Sequence, residues 1–113
     1  MIQILHNPRC KKSREGLSFL KEKGIEPEKI RYLDNQLTKN QIRDLIKKMN
    51  IKPEDWVRKN EDIYKQNYKN RDLTDEEWID ILFTHPKLLE RPVVINGDKA
   101  VIARPVEKIS EIL

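Results

Sequence analysis

Cys10 is the only cysteine in 113 residues. One thiol excludes an internal disulfide and any zinc site built from several cysteines. Histidine is almost as scarce, so a metal would have to use Cys10, His6 and His85; no metal is expected. Long apolar runs are missing too. Mean hydropathy is −0.79, and nothing approaches the ~20 consecutive apolar residues that a membrane-spanning helix requires. The opening Met1–Leu5 is too short for a signal-peptide core and is followed closely by Arg9, Cys10, Lys11 and Lys12. The expectation is a cytoplasmic protein without a membrane partner. Aromatics are few, with two Trp, three Tyr and two Phe, and none lies in the most basic stretch. Nucleic-acid binders show a wider basic stripe with exposed aromatics, so no nucleic-acid partner is expected.

Charge is abundant. Charged residues make up 37% of the chain, against a typical ~25%, and the net charge is +4. That surplus sits in residues 1–14, where Arg9, Lys11, Lys12 and Arg14 occur with no acid; the remainder balances, 19 basic against 19 acidic. The excess thus surrounds the only thiol. One reading is a solvated basic helix face. The sharper one is an electropositive pocket that favours a thiolate and attracts an anion.

The length suits a single domain spanning 1–113, enough for a core without disulfides. Ile2, Ile4 and Leu5 predict a short strand, and His6-Asn7-Pro8-Arg9 a turn. A helix is expected from about Cys10–Ser13 to Lys23, with Leu17 and Leu20 inward and Gly24 past its end. Ile30 to Leu33 predicts a second strand. Thr38 and Gln41 form a capping-box pattern, followed by Ile42, Leu45, Ile46 and Met49 at helical spacing. Short helical pieces are expected around Pro53–Val57 and Asp62–Tyr68. A second capping box, Thr74 with Glu77, opens a helix with Trp78, Ile81 and Leu82 inward that stops before Pro86. Arg91–Ile95 and Lys99–Ala103 flank Asn96-Gly97-Asp98, a hairpin signal. Pro105 suits the first turn of a last helix with Val106, Ile109 and Leu113 inward. The order is an α/β thioredoxin-like plan, β-α-β then β-β-α, with a helical insertion at about 38–85 between the halves.

That plan puts Cys10 at a helix N-terminus, where unpaired amides and roughly half a positive charge favour a thiolate. Most lone cysteines are small buried hydrophobes; a polar, basic turn beside Pro8 fits that role poorly, so Cys10 is read as reactive. Ser13 completes Cys-x-x-Ser. A serine cannot resolve a mixed disulfide, so a second thiol must come from outside, while Ser13 can donate to the thiolate. A cysteine-phosphatase loop would place arginine six residues after the cysteine; that residue is Gly16, which excludes the reading.

His6-Asn-Pro-Arg-Cys-Lys-Lys-Ser-Arg14, with Arg58-Lys-Asn60, Arg91-Pro92 and Arg104-Pro105 far downstream, resembles the thioredoxin-fold arsenate reductases of the ArsC type, which use glutathione and glutaredoxin in arsenic detoxification. The resemblance covers essentially the whole chain. It implies that Cys10 is the nucleophile, that His6 helps to set its environment, and that Arg58, Arg91 and Arg104 bind arsenate or a similar oxyanion. It also implies a cis Arg91–Pro92 bond, with Pro92 facing the site. Further implications are no bound cofactor, glutathione or another low-molecular-weight thiol as reductant, a glutaredoxin-type partner, and a monomer. Three guanidinium forks suit a tetrahedral oxyanion. Lys11-Lys12 departs from the small Gly-Thr pair of well-known members, and longer members continue beyond the last helix. Short members of the superfamily also resemble Spx-type regulators that bind RNA polymerase, though those carry Cys-x-x-Cys. A thiol oxidoreductase with another substrate is the remaining alternative.

Overall fold

The computed structural model describes residues 2–32 and 37–113. They fall into two units, one drawn from 1–35 and 91–113 and the other from 36–90. The first carries a four-stranded sheet. Strand β1 (Ile2–Leu5) lies beside β2 (Glu28–Ile30) in parallel and β3 (Val93–Asn96) in antiparallel, and β4 (Lys99–Ile102) completes the order β2-β1-β3-β4. Helix α1 (Lys11–Glu22) makes the crossover from β1 to β2, and a 3-10 helix (Val106–Glu111) follows β4. This is the β-α-β then β-β-α plan of a thioredoxin-like sheet.

Hydrophobic pattern explains the order. Val93, Val94 and Ile95 are consecutive and all buried, as an interior strand covered on both faces demands. Ile4, Leu20, Val94, Ala103 and Ile109 form the core of this unit, with Ile2, Phe19, Ile25, Val106 and Ile112 packed around them. Burying each such aliphatic side chain contributes ~1.5–3 kcal/mol. Helix α1 ends in a Schellman arrangement: the Ile25 amide reaches the Leu20 carbonyl, and the Gly24 amide the Lys21 carbonyl. Gly24 sits at φ +76, where a side chain would be strained.

Three local expectations shift. The second strand is Glu28–Ile30 rather than Ile30–Leu33. The Tyr32 amide bonds the Ile30 carbonyl at 3.1 Å and turns the chain out of the sheet there; Leu33 lies outside the described residues. The hairpin loop is Gly97-Asp98, since Asn96 pairs with Lys99. Only Gly97 takes a positive φ, +63, the requirement of a turn with glycine first. The closing helix is 3-10 throughout, with Pro105 as its N-cap.

Helix α1 approaches the chain just before β3 very closely. A Cβ on the buried Gly16 would stand 2.8 Å from Pro92 Cγ and 3.6 Å from Ile4 Cδ1. A proline ring cannot swing aside, so the position requires glycine. Overpacking of this kind costs ~1–3 kcal/mol, and alanine's helix preference over glycine returns only ~1 kcal/mol. Gly16→Ala is therefore expected to lower the urea midpoint despite its better helix propensity. An unchanged or raised midpoint would contradict this packing argument.

The second unit is helical: α2 (Lys39–Met49), α3 (Asp62–Asn67) and α4 (Asp75–Thr84), with 3-10 turns at Pro53–Trp56 and Pro86–Leu88. The expected insertion of about 38–85 falls within its 36–90 limits. Both capping boxes form. Thr38 Oγ1 accepts from the Gln41 amide at 3.1 Å and Thr74 Oγ1 from the Glu77 amide at 3.2 Å, with the return bonds in place. Helices α2 and α4 pack on each other; α2 buries Ile42, Leu45 and Ile46, and α4 buries Trp78, Ile79 and Leu82. Ile79 is the buried residue where Ile81 was expected; Ile81 is only half-buried. The exposed pairs Arg43–Glu76 at 2.8 Å and Lys39–Asp80 at 2.9 Å add little, about 0–1 kcal/mol each. Among the described residues no helix is long and apolar enough to cross a membrane.

Candidate active site

The turn that carries Cys10 is built by its own backbone. The His6 amide still bonds the Ile30 carbonyl at 2.9 Å, continuing the β1–β2 ladder by one residue. Asn7 then closes the turn twice: its side-chain oxygen accepts from the Arg9 amide at 3.1 Å, and its carbonyl from the Cys10 amide at 2.9 Å. Cys10 is the N-cap of α1, in extended conformation, and its carbonyl accepts the first helical bond from Arg14 at 3.1 Å. Its side chain therefore lies where the first-turn amides have no helical partner.

The sulfur uses them. Burial alone would push the Cys10 thiol up; the Ser13 amide, the Arg91 guanidinium, the Ser13 hydroxyl and the Lys12 amide together bring it down to about 7. Ser13 is fully buried, and its Oγ makes no hydrogen bond among the described residues, so it acts on the sulfur from nearby rather than through a formed bond. Arg91, half-buried, is opposed by burial, yet contact with the Cys10 sulfur and the Tyr32 hydroxyl holds its guanidinium above the ordinary arginine value. The cationic neighbours in sequence do not do this work. Arg9, Lys11, Lys12 and Arg14 are all exposed; Lys12 pairs with Glu15 at 3.6 Å, and Arg14 bonds the Pro8 carbonyl at 3.4 Å. Solvent screens such charges, so the expected electropositive pocket is replaced by amides, a hydroxyl and one distant arginine.

This makes a measurable expectation. Alkylation of Cys10 by iodoacetamide should follow a single titration with a midpoint near 7. The rate falls tenfold per pH unit below it and is flat above it, against about 8.5 for an ordinary thiol. A midpoint at or above 8.5 would contradict the site described here.

The other expected residues fall as follows. His6 is buried, its Nδ1 without a partner. Burial, then Lys29 and Arg31, push its pKa down, so the imidazole is neutral at pH 7. It is not among the groups that shift the Cys10 thiol. Pro92 is buried against Gly16, and the Arg91–Pro92 peptide is cis, as is Arg104–Pro105. Arg104 Nε donates to the Arg91 carbonyl at 2.7 Å, which puts both arginines on one side of the sheet's hairpin. Arg91 Nε is buried and makes no hydrogen bond.

Arg58 belongs to the helical unit. A single bridge, Val57 to Leu89, anchors it; the Arg58 amide bonds the Leu88 carbonyl at 2.7 Å, and Trp56 Nε1 the Glu90 carbonyl at 2.9 Å. Its Nη1 meets Glu61 Oε1 at 2.8 Å, while its Nε is buried without a partner. Among the described residues no cluster of three or more His, Cys, Asp or Glu could hold a metal ion. Sequence reasoning missed Tyr32. It lies in the turn just past β2 and is one of the groups that push the Arg91 pKa up.

An activated thiol on the first helix of a thioredoxin-like sheet defines a thiol oxidoreductase. The ArsC family model matches residues 5–112, and the chain belongs to that family. An arsenate reductase of Haemophilus influenzae is 44% identical, over 97% of this chain and 97% of its own. The uncharacterized protein YfgD of Escherichia coli K12 is 42% identical over 99% and 96%. The solved structure of an arsenate reductase from Vibrio cholerae superposes with a TM-score of 0.94 at 35% identity, covering 99% of this chain and 97% of that one.

Proposed function

We propose that this chain reduces arsenate to arsenite, with Cys10 as nucleophile and an external thiol as reductant. The observation that carries the reading is the pairing of a thiol near pKa 7 with a half-buried arginine whose Nε–H is unspent. A buried donor without a partner costs ~1–3 kcal/mol, and a bound oxyanion offsets that cost. Arsenate reductases at 35–44% identity and nearly full coverage support the choice of oxyanion.

The steps balance as follows. Cys10 thiolate forms a sulfur–arsenic(V) bond, and one arsenate oxygen leaves as water after taking up protons. Arg91 and Arg104 offset the negative charge that the oxyanion carries through the displacement. The Ser13 hydroxyl and the first-turn amides hold the sulfur as thiolate before attack. His6, neutral and buried, keeps the turn under the nucleophile free of a competing cation. The thiolate of glutathione or a similar small thiol then attacks the Cys10 sulfur, and the sulfur–arsenic bond breaks with its electron pair left on arsenic. Arsenic takes up two electrons as the sulfur–sulfur bond forms between that thiol and Cys10, and arsenite leaves. A glutaredoxin-type thiol attacks the mixed disulfide and frees Cys10. The chain has one cysteine, so both reducing thiols come from other molecules.

The test is arsenate-dependent NADPH consumption by the purified protein with glutathione, glutaredoxin and glutathione reductase, beside phosphate and sulfate as competitors. Turnover that requires arsenate is the expected result. A thiol that titrates near 7 but gives no turnover with arsenate would move the substrate to another oxyanion or to a mixed disulfide.

A further inference from the structure

Arg9, Lys11, Lys12 and Arg14 do not activate the thiol, yet all four are exposed in its immediate turn. Lys12 pairs with Glu15 at 3.6 Å; among the described residues Arg9, Lys11 and Arg14 have no carboxylate partner. Lys11 and Arg14 also line a groove of about 490 Å³ beside α1, within the roughly 300–1,000 Å³ of small-molecule sites. Phe19 of α1 and Val106 of the closing 3-10 helix give it an apolar lining, and Ser18 a hydroxyl. Lys11, Arg14, Ser18 and Glu22 recur at spacings of three and four, so they share one face of the helix, away from the buried Ser13, Gly16 and Leu20. The acids of the groove do not cancel its cations. Glu15 is taken up by Lys12, and Glu22 lies eight residues past Arg14, about 12 Å along the axis. The cationic end adjoins the nucleophile. The Arg14 amide bonds the Cys10 carbonyl at 3.1 Å, and its guanidinium reaches the Pro8 carbonyl at 3.4 Å.

We propose that this groove docks the external reductant, a small peptide thiol with two carboxylates and one ammonium, by pairing a carboxylate with Lys11 and Arg14 while the rest of the peptide lies along Ser18 and Phe19. Charge selects the occupant. A net-negative thiol is drawn to unpaired cations beside the sulfur it must attack; an uncharged thiol gains nothing from them, and a cationic one is repelled. A tetrahedral oxyanion would leave most of the volume empty. The proposal rests on the reading that an external thiol attacks the Cys10 sulfur. It does not depend on arsenate being the substrate.

The test isolates that attack. Dipyridyl disulfide converts Cys10 to its pyridyl mixed disulfide. An incoming thiolate attacks the Cys10 sulfur, the pyridyl sulfur leaves with the electron pair of the broken bond, and its absorbance reports the rate. Glutathione is the anionic probe, mercaptoethanol the uncharged one and cysteamine the cationic one. In Lys11→Gln/Arg14→Gln the glutathione rate constant should fall roughly three- to thirtyfold, the span of two exposed charge pairs. The mercaptoethanol rate should stay at the wild-type value and the cysteamine rate should rise. Salt should shrink these differences. Arg9→Gln is the matched control for Lys11→Gln: each removes one cation next to Cys10, and only Lys11 lines the groove. The Lys11→Gln loss should be the larger.

Equal losses in the two single variants overturn the proposal, because a general field would then suffice. So does a glutathione rate that falls no more than the mercaptoethanol rate. A loss seen only when glutaredoxin is the attacking thiol also overturns it and assigns the groove to a protein partner. A Cys10 that takes up no pyridyl group overturns the reading of Cys10 itself, and the docking proposal with it.

Discussion

Cys10→Ser is expected to abolish arsenate-dependent thiol oxidation, to the background of the assay, while the protein stays folded. The magnitude follows from the chemistry of the atom replaced. The first-turn amides, the Ser13 hydroxyl and Arg91 lower a thiol to about 7. A hydroxyl starts so much higher that the same contacts leave it protonated at neutral pH, and oxygen cannot take up the sulfur–sulfur bond on which the electron balance depends. Structural cost should be small. Cys10 is half-buried and in no disulfide, and as an N-cap it gains from serine, which is among the preferred residues there. Circular dichroism and a urea midpoint equal to or slightly above wild type are the expected controls. Retained turnover in a folded Cys10→Ser protein would end the covalent mechanism.

The second large effect is expected at Arg91. Arg91→Ala should cut kcat/KM for arsenate by ~10²–10³, the usual loss on removing one preorganised donor from a developing charge. It should also raise the alkylation midpoint of Cys10, since the sulfur loses a charge-assisted hydrogen bond. The two readouts separate the roles of one side chain: alkylation reports its hold on the thiolate, and the additional loss in kcat/KM its hold on the oxyanion. Arg91→Lys should restore part of the first and little of the second, because an ammonium carries the charge without the planar fork of donors. If Arg91→Ala leaves both the midpoint and kcat/KM unchanged, the pairing of Arg91 with Cys10 has no part in the reaction.

Much of the scaffold was legible because it is local. Thr38 and Thr74 cap helices through residues three positions on, Gly24 closes α1 by its own left-handed φ, and Gly97 permits the hairpin. None of these needs knowledge of a distant neighbour. Periodicity located α2 equally well, with Ile42, Leu45 and Ile46 buried as spaced. It served less well where a helix packs on more than one side. In α4 the choice of Ile79 over Ile81 depends on what covers each face, and in α1 Gly16 is buried while Leu17 is only half-buried. The end of β2 was misjudged because Tyr32, a good strand former, is instead drawn into the core past a tight turn.

The sequence by itself determined that a lone cysteine stands at the N-terminus of the first helix of a β-α-β unit, that any second thiol is external, and that a hairpin and closing helix follow an inserted helical segment. These are matters of chain order, capping chemistry and residue count, and short-range interactions settle them. Only the tertiary structure decided what activates the cysteine. The nearby basic residues looked sufficient, yet they are exposed and screened. The groups that act on the sulfur are first-turn amides, a buried serine hydroxyl, and an arginine delivered from the other end of the chain by the antiparallel pairing of β1 with β3. A charge matters to a thiol in proportion to its closeness and its shielding from water. Both are properties of the folded arrangement, and adjacency in sequence specifies neither.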